Sequence, residues 1–279
     1  MKKILSLALV LMLAVAAFAG CSKGDGKPAA DTTAEAPAAD NSLVIATELT
    51  SEEYGIGFRK NSNLTATVNG YIDELKADGT LDALAEKYQL TLSDSAPQEE
   101  EEATLDDLAY IQANGKMVIG ITDYEPMNFK DENDAWTGFD TEFALAVCEK
   151  LGVEAEFVEI DWDGKFLALE SKAIDCIWNG MTISDEVLKN TSCSVAYVKN
   201  AQVVVMAADK AEKYADAEAM KDLTFAVEAG SAGLAAAEEN GFENVVEAGT
   251  QTDAYLEVTS GSCDACIIDL TMANAMLNK

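Results

Sequence analysis

Short runs of β-branched and other apolar residues alternate along this chain with stretches whose apolar residues recur every three to four positions, and no other property of the sequence limits its fold as strongly. Residues 116–121, 153–159 and 174–178 are expected strands. Residues 140–151 and 165–171 are expected helices, the first with Phe143, Val147 and Leu151 on one face. Strand–helix–strand crossovers of this kind set strands side by side in a parallel sheet with helices on its faces. The pattern then restarts, with strands at 202–207, 223–228, 244–248 and 264–269 and helices at 234–240, 253–259 and 271–277. Two α/β lobes are expected.

Ahead of this run stands a segment of the same character. Residues 43–49 and 54–59 read as strands, and 63–77 and 81–88 as helices, the second opened by Gly79-Thr80 as a stop and cap. Leu64, Val68, Ile72 and Leu75 fall on one face, so this helix needs a partner surface, for which 104–200 is the natural candidate. The connector 95–103, Ser-Ala-Pro-Gln-Glu-Glu-Glu-Glu-Ala, is a solvated link by its like charges and proline. At the start, Lys2 and Lys3 precede an apolar run over 4–18 that closes on Phe18-Ala19-Gly20-Cys21. This resembles a bacterial lipoprotein signal, which implies removal of 1–20, lipidation of Cys21 and a flexible tether over 21–42 rich in Ala, Asp, Thr and Pro. The competing reading is an ordinary secretory signal with an incidental cysteine.

Charge and composition exclude several function classes. With 50 Asp+Glu against 19 Lys+Arg, a net charge of −31, the surface repels nucleic acid and anionic lipid, so no nucleic-acid partner is expected. Histidine is absent, which removes Ser-His-Asp and Cys-His nucleophile systems and His-ligated zinc; neither metal nor cofactor is expected. Beyond Cys21, cysteines stand at 148, 176, 193, 263 and 266. Cys263 and Cys266 make a Cys-x-x-Cys spacing, but Cys266 sits in an apolar strand run where cysteine serves as a small hydrophobe; a disulfide or redox pair is the alternative.

Gly138-Phe139-Asp140-Thr141-Glu142-Phe143 continuing to Leu151, Asn179-Gly180-Met181-Thr182-Ile183, Ala226-Val227-Glu228-Ala229-Gly230-Ser231-Ala232-Gly233 and Cys266-Ile267-Ile268-Asp269 together resemble the bacterial extracellular solute-binding proteins of family 3, the amino-acid uptake family. Leu49 through Lys60 is similar to that family's second crossing between lobes, with its closing helices after it. The resemblance implies a two-lobed, periplasmic-binding-protein-like α/β fold of type II, circularly permuted, since the closing segment comes first. Permutation is tolerated where original ends lie close together. The implied organisation is a second-lobe strand and hinge crossing at 43–57, a first lobe at 58–200 and the rest of the second lobe at 201–279.

By the same resemblance, Asp269 meets a ligand ammonium at the end of a second-lobe strand and Asp123 meets ligand polar groups. Trp162 and Tyr124 wall the aliphatic part, Asn179, Gly180 and Thr182 contribute from the first-lobe loop, and Ser231, Ala232 and their amides receive a carboxylate at a helix start. Helix capping competes for Asp269 and Ser231, turn formation for Asp123, and core packing for Trp162. The sequence departs from the family where Val187 stands in place of an arginine that clamps the ligand carboxylate; Lys189 lies nearby on another helical face. Glu228 stands where some members have lysine, and convergence of Asp123, Glu228 and Asp269 favours a neutral or cationic ligand. The implied function is the lipid-anchored, extracytoplasmic capture component of an ABC importer, a monomer that closes on one free amino acid and presents it to a membrane permease. The alternatives are an extracytoplasmic enzyme of the same fold, similar to cyclohexadienyl dehydratase, with Asp123 or Glu228 as acid or base, and a sensor that transports nothing.

Overall fold

The computed structural model describes residues 42–94, 102–214 and 216–278. The signal, Cys21, the tether up to residue 41 and residues 95–101 of the connector lie outside the described residues.

The chain opens with β1 (Leu43–Glu48), β2 (Glu52–Arg59), α1 (Leu64–Ala77), α2 (Thr80–Tyr88) and, beyond the connector, α3 (Asp107–Asn114). It continues through β3 (Lys116–Ile121), a hairpin of β4 (Phe129–Lys130) and β5 (Trp136–Thr137), α4 (Phe139–Leu151), β6 (Glu154–Glu159), a 3-10 turn at Trp162–Gly164 and α5 (Lys165–Glu170). Next come β7 (Cys176–Thr182), α6 (Asp185–Asn190), β8 (Thr191–Cys193) and β9 (Val198–Asn200). The last part holds β10 (Gln202–Ala207), α7 (Ala208–Ala211), β11 (Phe225–Glu228), α8 (Ala232–Glu239), β12 (Val245–Ala248), α9 (Gln251–Thr259), β13 (Ala265–Asp269) and α10 (Leu270–Leu277).

Two sheets result. The first runs β6-β3-β7-β2-β8, with β9 also on β2; the second runs β1-β10-β13-β11-β12. Neither is purely parallel. β3 is parallel to β6 and β7, and β11 to β12 and β13, but β2 is antiparallel to β7, β8 and β9, and β10 to β1 and β13. The antiparallel strands are those beside the crossings between sheets, where the chain turns back without an intervening helix. The two crossings, at residues 49–51 and at Ala201, lie side by side: the Leu49 N–H donates to the Gln202 carbonyl at 2.8 Å, and the Gln202 N–H to Thr50 Oγ1 at 3.0 Å.

β2 pairs with β9 from Glu52 and with β7 from Tyr54, so residues 52–57 are part of the first sheet and the crossing ends earlier than the sequence suggests. Behind β2, α1 buries Leu64, Val68, Ile72 and Leu75 in one core with Ile56, Phe58, Met117 and Ile119. Its other anchor is electrostatic: Arg59 donates through Nε to Asp107 Oδ2 at 3.0 Å, through Nη2 to Asp175 Oδ1 at 2.9 Å, and through Nη1 to the Ile174 carbonyl at 2.8 Å. This service explains why β7 starts at Cys176 and not at 174, since Asp175 also accepts the Val118 N–H at 2.9 Å. Thr80 is the first helical residue of α2 and does not cap it; Asp78 Oδ1 accepts the Thr80 N–H at 2.9 Å while Gly79 turns through φ 82°, open to glycine without strain. Cys148, Cys176, Cys193, Cys263 and Cys266 are all free and buried, with Cys266 inside β13.

Candidate functional site

Four short pieces meet where the sheets face each other. From the first lobe come the C-terminal end of β7 and the 3-10 turn at Trp162; from the second come the β11-to-α8 turn and the end of β13. They enclose a cavity of about 190 Å³ whose lining includes Tyr124, Trp162, Asn179, Gly180, Thr182, Glu228, Ser231, Ala232 and Asp269. A larger hollow of about 430 Å³, between α10 and Tyr88, is lined by none of these.

Asp123 is not in the cavity wall. Past the end of β3 the backbone still alternates, so Thr122 and Tyr124 turn inward while Asp123 faces out and is exposed, its carbonyl accepting from Thr252 Oγ1 at 3.4 Å. Asn179 lines the cavity but its amide is committed inward, accepting from the Thr122 N–H and donating to the Thr122 carbonyl and Asn128 Oδ1. Gly180, inside β7, has φ 57°, and a Cβ there would stand 2.6 Å from Tyr124 Cε1, so this position requires glycine. Trp162 combines wall and core, packing with Leu169, Ile177 and Val187. Ser231 caps α8, Oγ accepting the Leu234 N–H at 3.2 Å, and lines the cavity as well.

Asp269 precedes α10 but its side chain makes no cap bond. Its carboxylate is instead ringed by amide donors: Asn200 Nδ2 and Gln202 Nε2 on Oδ1, and Gln251 Nε2 on Oδ2. Gln251 is held in that orientation because its Oε1 accepts the Asp269 N–H at 2.8 Å. Glu52, not singled out in the sequence, shares the same donors, accepting on Oε1 from Thr182 Oγ1 at 2.8 Å, Asn200 Nδ2 at 2.6 Å and Gln202 Nε2 at 2.8 Å. Burial and then the Glu52 charge push the Asp269 carboxyl above the usual carboxylate range. Glu228 has no such ring. Burial, followed by the Asp269 charge, pushes its carboxyl up to about 8, with Lys165 opposing.

Among the described residues, Lys165 is the one Lys or Arg lining the cavity. Its Nζ donates to the Trp162 carbonyl at 3.2 Å and, across the cleft, to the Gly230 carbonyl at 2.9 Å, lying 5.0 Å from the Trp162 ring centroid. Burial pulls its ammonium below the ordinary value, and Glu186, Glu228 and Asp163 pull it back. Val187 forms apolar wall where an arginine was looked for, and Lys189 is exposed outside the cavity. The two lobes also touch through hydroxyls: Thr271 Oγ1 meets the Tyr124 hydroxyl at 2.5 Å and the Tyr54 hydroxyl at 3.0 Å. Lys165 follows Trp162 by three residues, one helical turn, a spacing that could have flagged it. Glu52 and Gln251 carried no such signal, because their roles come from strand pairing and from the placement of α9.

Asp140, in the first turn of α4, supports the site from behind, its Oδ2 accepting the Gly180 N–H at 2.6 Å and the Tyr197 hydroxyl at 2.9 Å. Burial pushes its carboxyl from 3.8 up to about 7. The folded state therefore holds a proton that the unfolded chain releases near 3.8, so the stability linked to Asp140 is full below that value and is lost as pH rises through about 7. Glu228 acts in the same direction up to about 8. The melting temperature of the ligand-free protein is expected to fall as pH rises from about 5 to about 8, and Asp140→Asn to flatten part of that fall. Parallel native and Asp140→Asn profiles would refute the assignment, since general charge repulsion is common to both.

A family model described as bacterial extracellular solute-binding proteins, family 3, matches residues 117–266. The L-cystine-binding protein TcyJ of Escherichia coli is 38% identical over 88 residues, 31% of this chain and 33% of TcyJ. The arginine-binding extracellular protein ArtP of Bacillus subtilis is 33% identical over 165 residues, 55% of this chain and 61% of ArtP. The match thus spans less than two thirds of either relative's length. Among solved structures, the ancestral amino acid-binding protein AncCDT-1, a precursor of cyclohexadienyl dehydratase, superposes with a TM-score of 0.57 at 34% identity, covering 59% of this chain and 74% of that one.

Proposed function

This chain belongs to the bacterial extracellular solute-binding proteins, family 3, and on that premise we propose that it is the capture component of an ATP-driven importer, closing two lobes on one free amino acid and presenting the closed form to a membrane permease. The observation that carries this reading is Asp269: a buried carboxylate at the end of a strand, in a cavity between lobes, ringed by fixed amide donors that keep it an acceptor. A buried acceptor of this kind satisfies an ammonium that has left water. Trp162 and Tyr124 supply walls for the aliphatic part, and Ser231, Ala232 and Lys165 supply the polar side for a carboxylate.

The named relatives bind cystine and arginine, and the structural neighbour is itself an amino acid-binding protein, which supports binding over catalysis. Lipid anchoring through Cys21, an extracytoplasmic location, a monomeric state and a permuted chain order belong to the same proposal. The interior place of β2 in the first sheet, between β7 and β8, supports the permutation. Closure requires the ligand to bind the closed form better than the open one.

Calorimetric titration of the purified protein with each proteinogenic amino acid is expected to find at least one ligand with a Kd of about a micromolar or less. Turnover of a cyclic carboxylic acid with no amino-acid binding would favour the dehydratase-like alternative. Silence in both assays would favour a sensor or an inactive domain.

A further inference from the structure

Glu228 differs from the other acids of the cavity. It is 3% exposed at the C-terminal end of β11, and its Oε1 is one of three buried side-chain polar atoms among the described residues that lack a hydrogen-bond partner. Asp269 and Glu52 are ringed by amide and hydroxyl donors from their own chain, but no such donor is aimed at Glu228 Oε1. The cavity wall carries five carboxylates, Glu52, Glu186, Glu228, Glu239 and Asp269, against the one ammonium of Lys165. That ammonium already donates to two backbone carbonyls.

We propose that Glu228 is the specificity residue of this cavity and that its ligand carries a second cation, an ammonium or guanidinium at the end of its side chain, which Glu228 Oε1 accepts. The inference rests on the amino-acid capture reading and narrows it. An α-ammonium and α-carboxylate together bring no net charge, so a neutral amino acid leaves Glu228 buried without compensation. An acidic one adds a further carboxylate, and only a cationic side chain brings the unpartnered Glu228 Oε1 a donor together with the positive charge that the acidic wall lacks. Burial and the Asp269 charge push the Glu228 carboxyl up to about 8 in the empty site, and a cation bound beside it favours the ionised form and so opposes both.

The test titrates the purified full chain and Glu228→Gln, which keeps side-chain shape, with arginine and lysine and with their neutral isosteres citrulline and norleucine. The native protein is expected to bind at least one cationic member about 30-fold or more tightly than its isostere, the factor for a charged hydrogen bond worth about 2 kcal/mol. In Glu228→Gln that ratio is expected to fall below about threefold. A native ratio near one, a neutral or acidic amino acid as the tightest ligand, or a ratio that survives in Glu228→Gln overturns the proposal and leaves capture standing. Failure of every amino acid to bind overturns capture as well. The native ratio decides the matter even where the variant folds poorly.

Discussion

Arg59→Ala is expected to lower the stability of the folded protein by roughly 3–5 kcal/mol, the range for removing one partner from a buried ionic group. Arg59, Asp107 and Asp175 are all buried, and the guanidinium reaches both carboxylates and a backbone carbonyl through three separate nitrogens. Burial opposes the guanidinium's charge, but hydrogen bonds to the two aspartates outweigh it and hold the Arg59 pKa above its ordinary value. Alanine would leave two carboxylates facing an emptied cavity, whereas Arg59→Met, with similar bulk, should lose the charge pairing and keep much of the packing. Urea unfolding measures the effect as a shift in midpoint with an unchanged slope. The result carries topological weight, because Arg59 precedes the acidic connector while Asp107 and Asp175 follow it. A loss below about 0.5 kcal/mol would mean that the early segment is not docked on the first sheet as described.

Asp269→Asn is expected to weaken ligand binding by about 30-fold or more, the factor for a buried ammonium losing its charged partner. The substitution is nearly isosteric but chemically hostile at this position. Each amide around Asp269 presents a donor, and two cannot flip: Gln251 Oε1 already accepts the Asp269 N–H, and Asn200 Oδ1 accepts the Thr271 N–H at 3.3 Å. An asparagine NH₂ would therefore face another donor on whichever side it turned. Binding retained within about threefold would show that the ammonium is held elsewhere, with Glu52 the next candidate by its place in the same network.

The face of α1 was legible because four apolar residues at helical spacing have only one way to leave water, and all are buried. β10 and β3 begin and end where their β-branched runs do. Elements with no period to read, such as α3, α6 and the β4–β5 hairpin, are short and were not anticipated. Asp123 was placed in the site by resemblance, yet strand alternation turns it outward. A lysine in an acidic chain reads as surface, yet Lys165 is 5% exposed.

From the order of its amino acids alone, the chain dictates two α/β lobes, the inward face of each amphipathic helix and the strand end that carries Asp269, because periodicity and turn chemistry act between residues a few positions apart. The mixed sheets, the Arg59 triad, the pairing of Glu52 with Asp269 and the isolation of Glu228 were decided only in three dimensions. Each joins groups separated by tens to hundreds of positions, and the low dielectric of the interior makes the presence or absence of one partner decisive there.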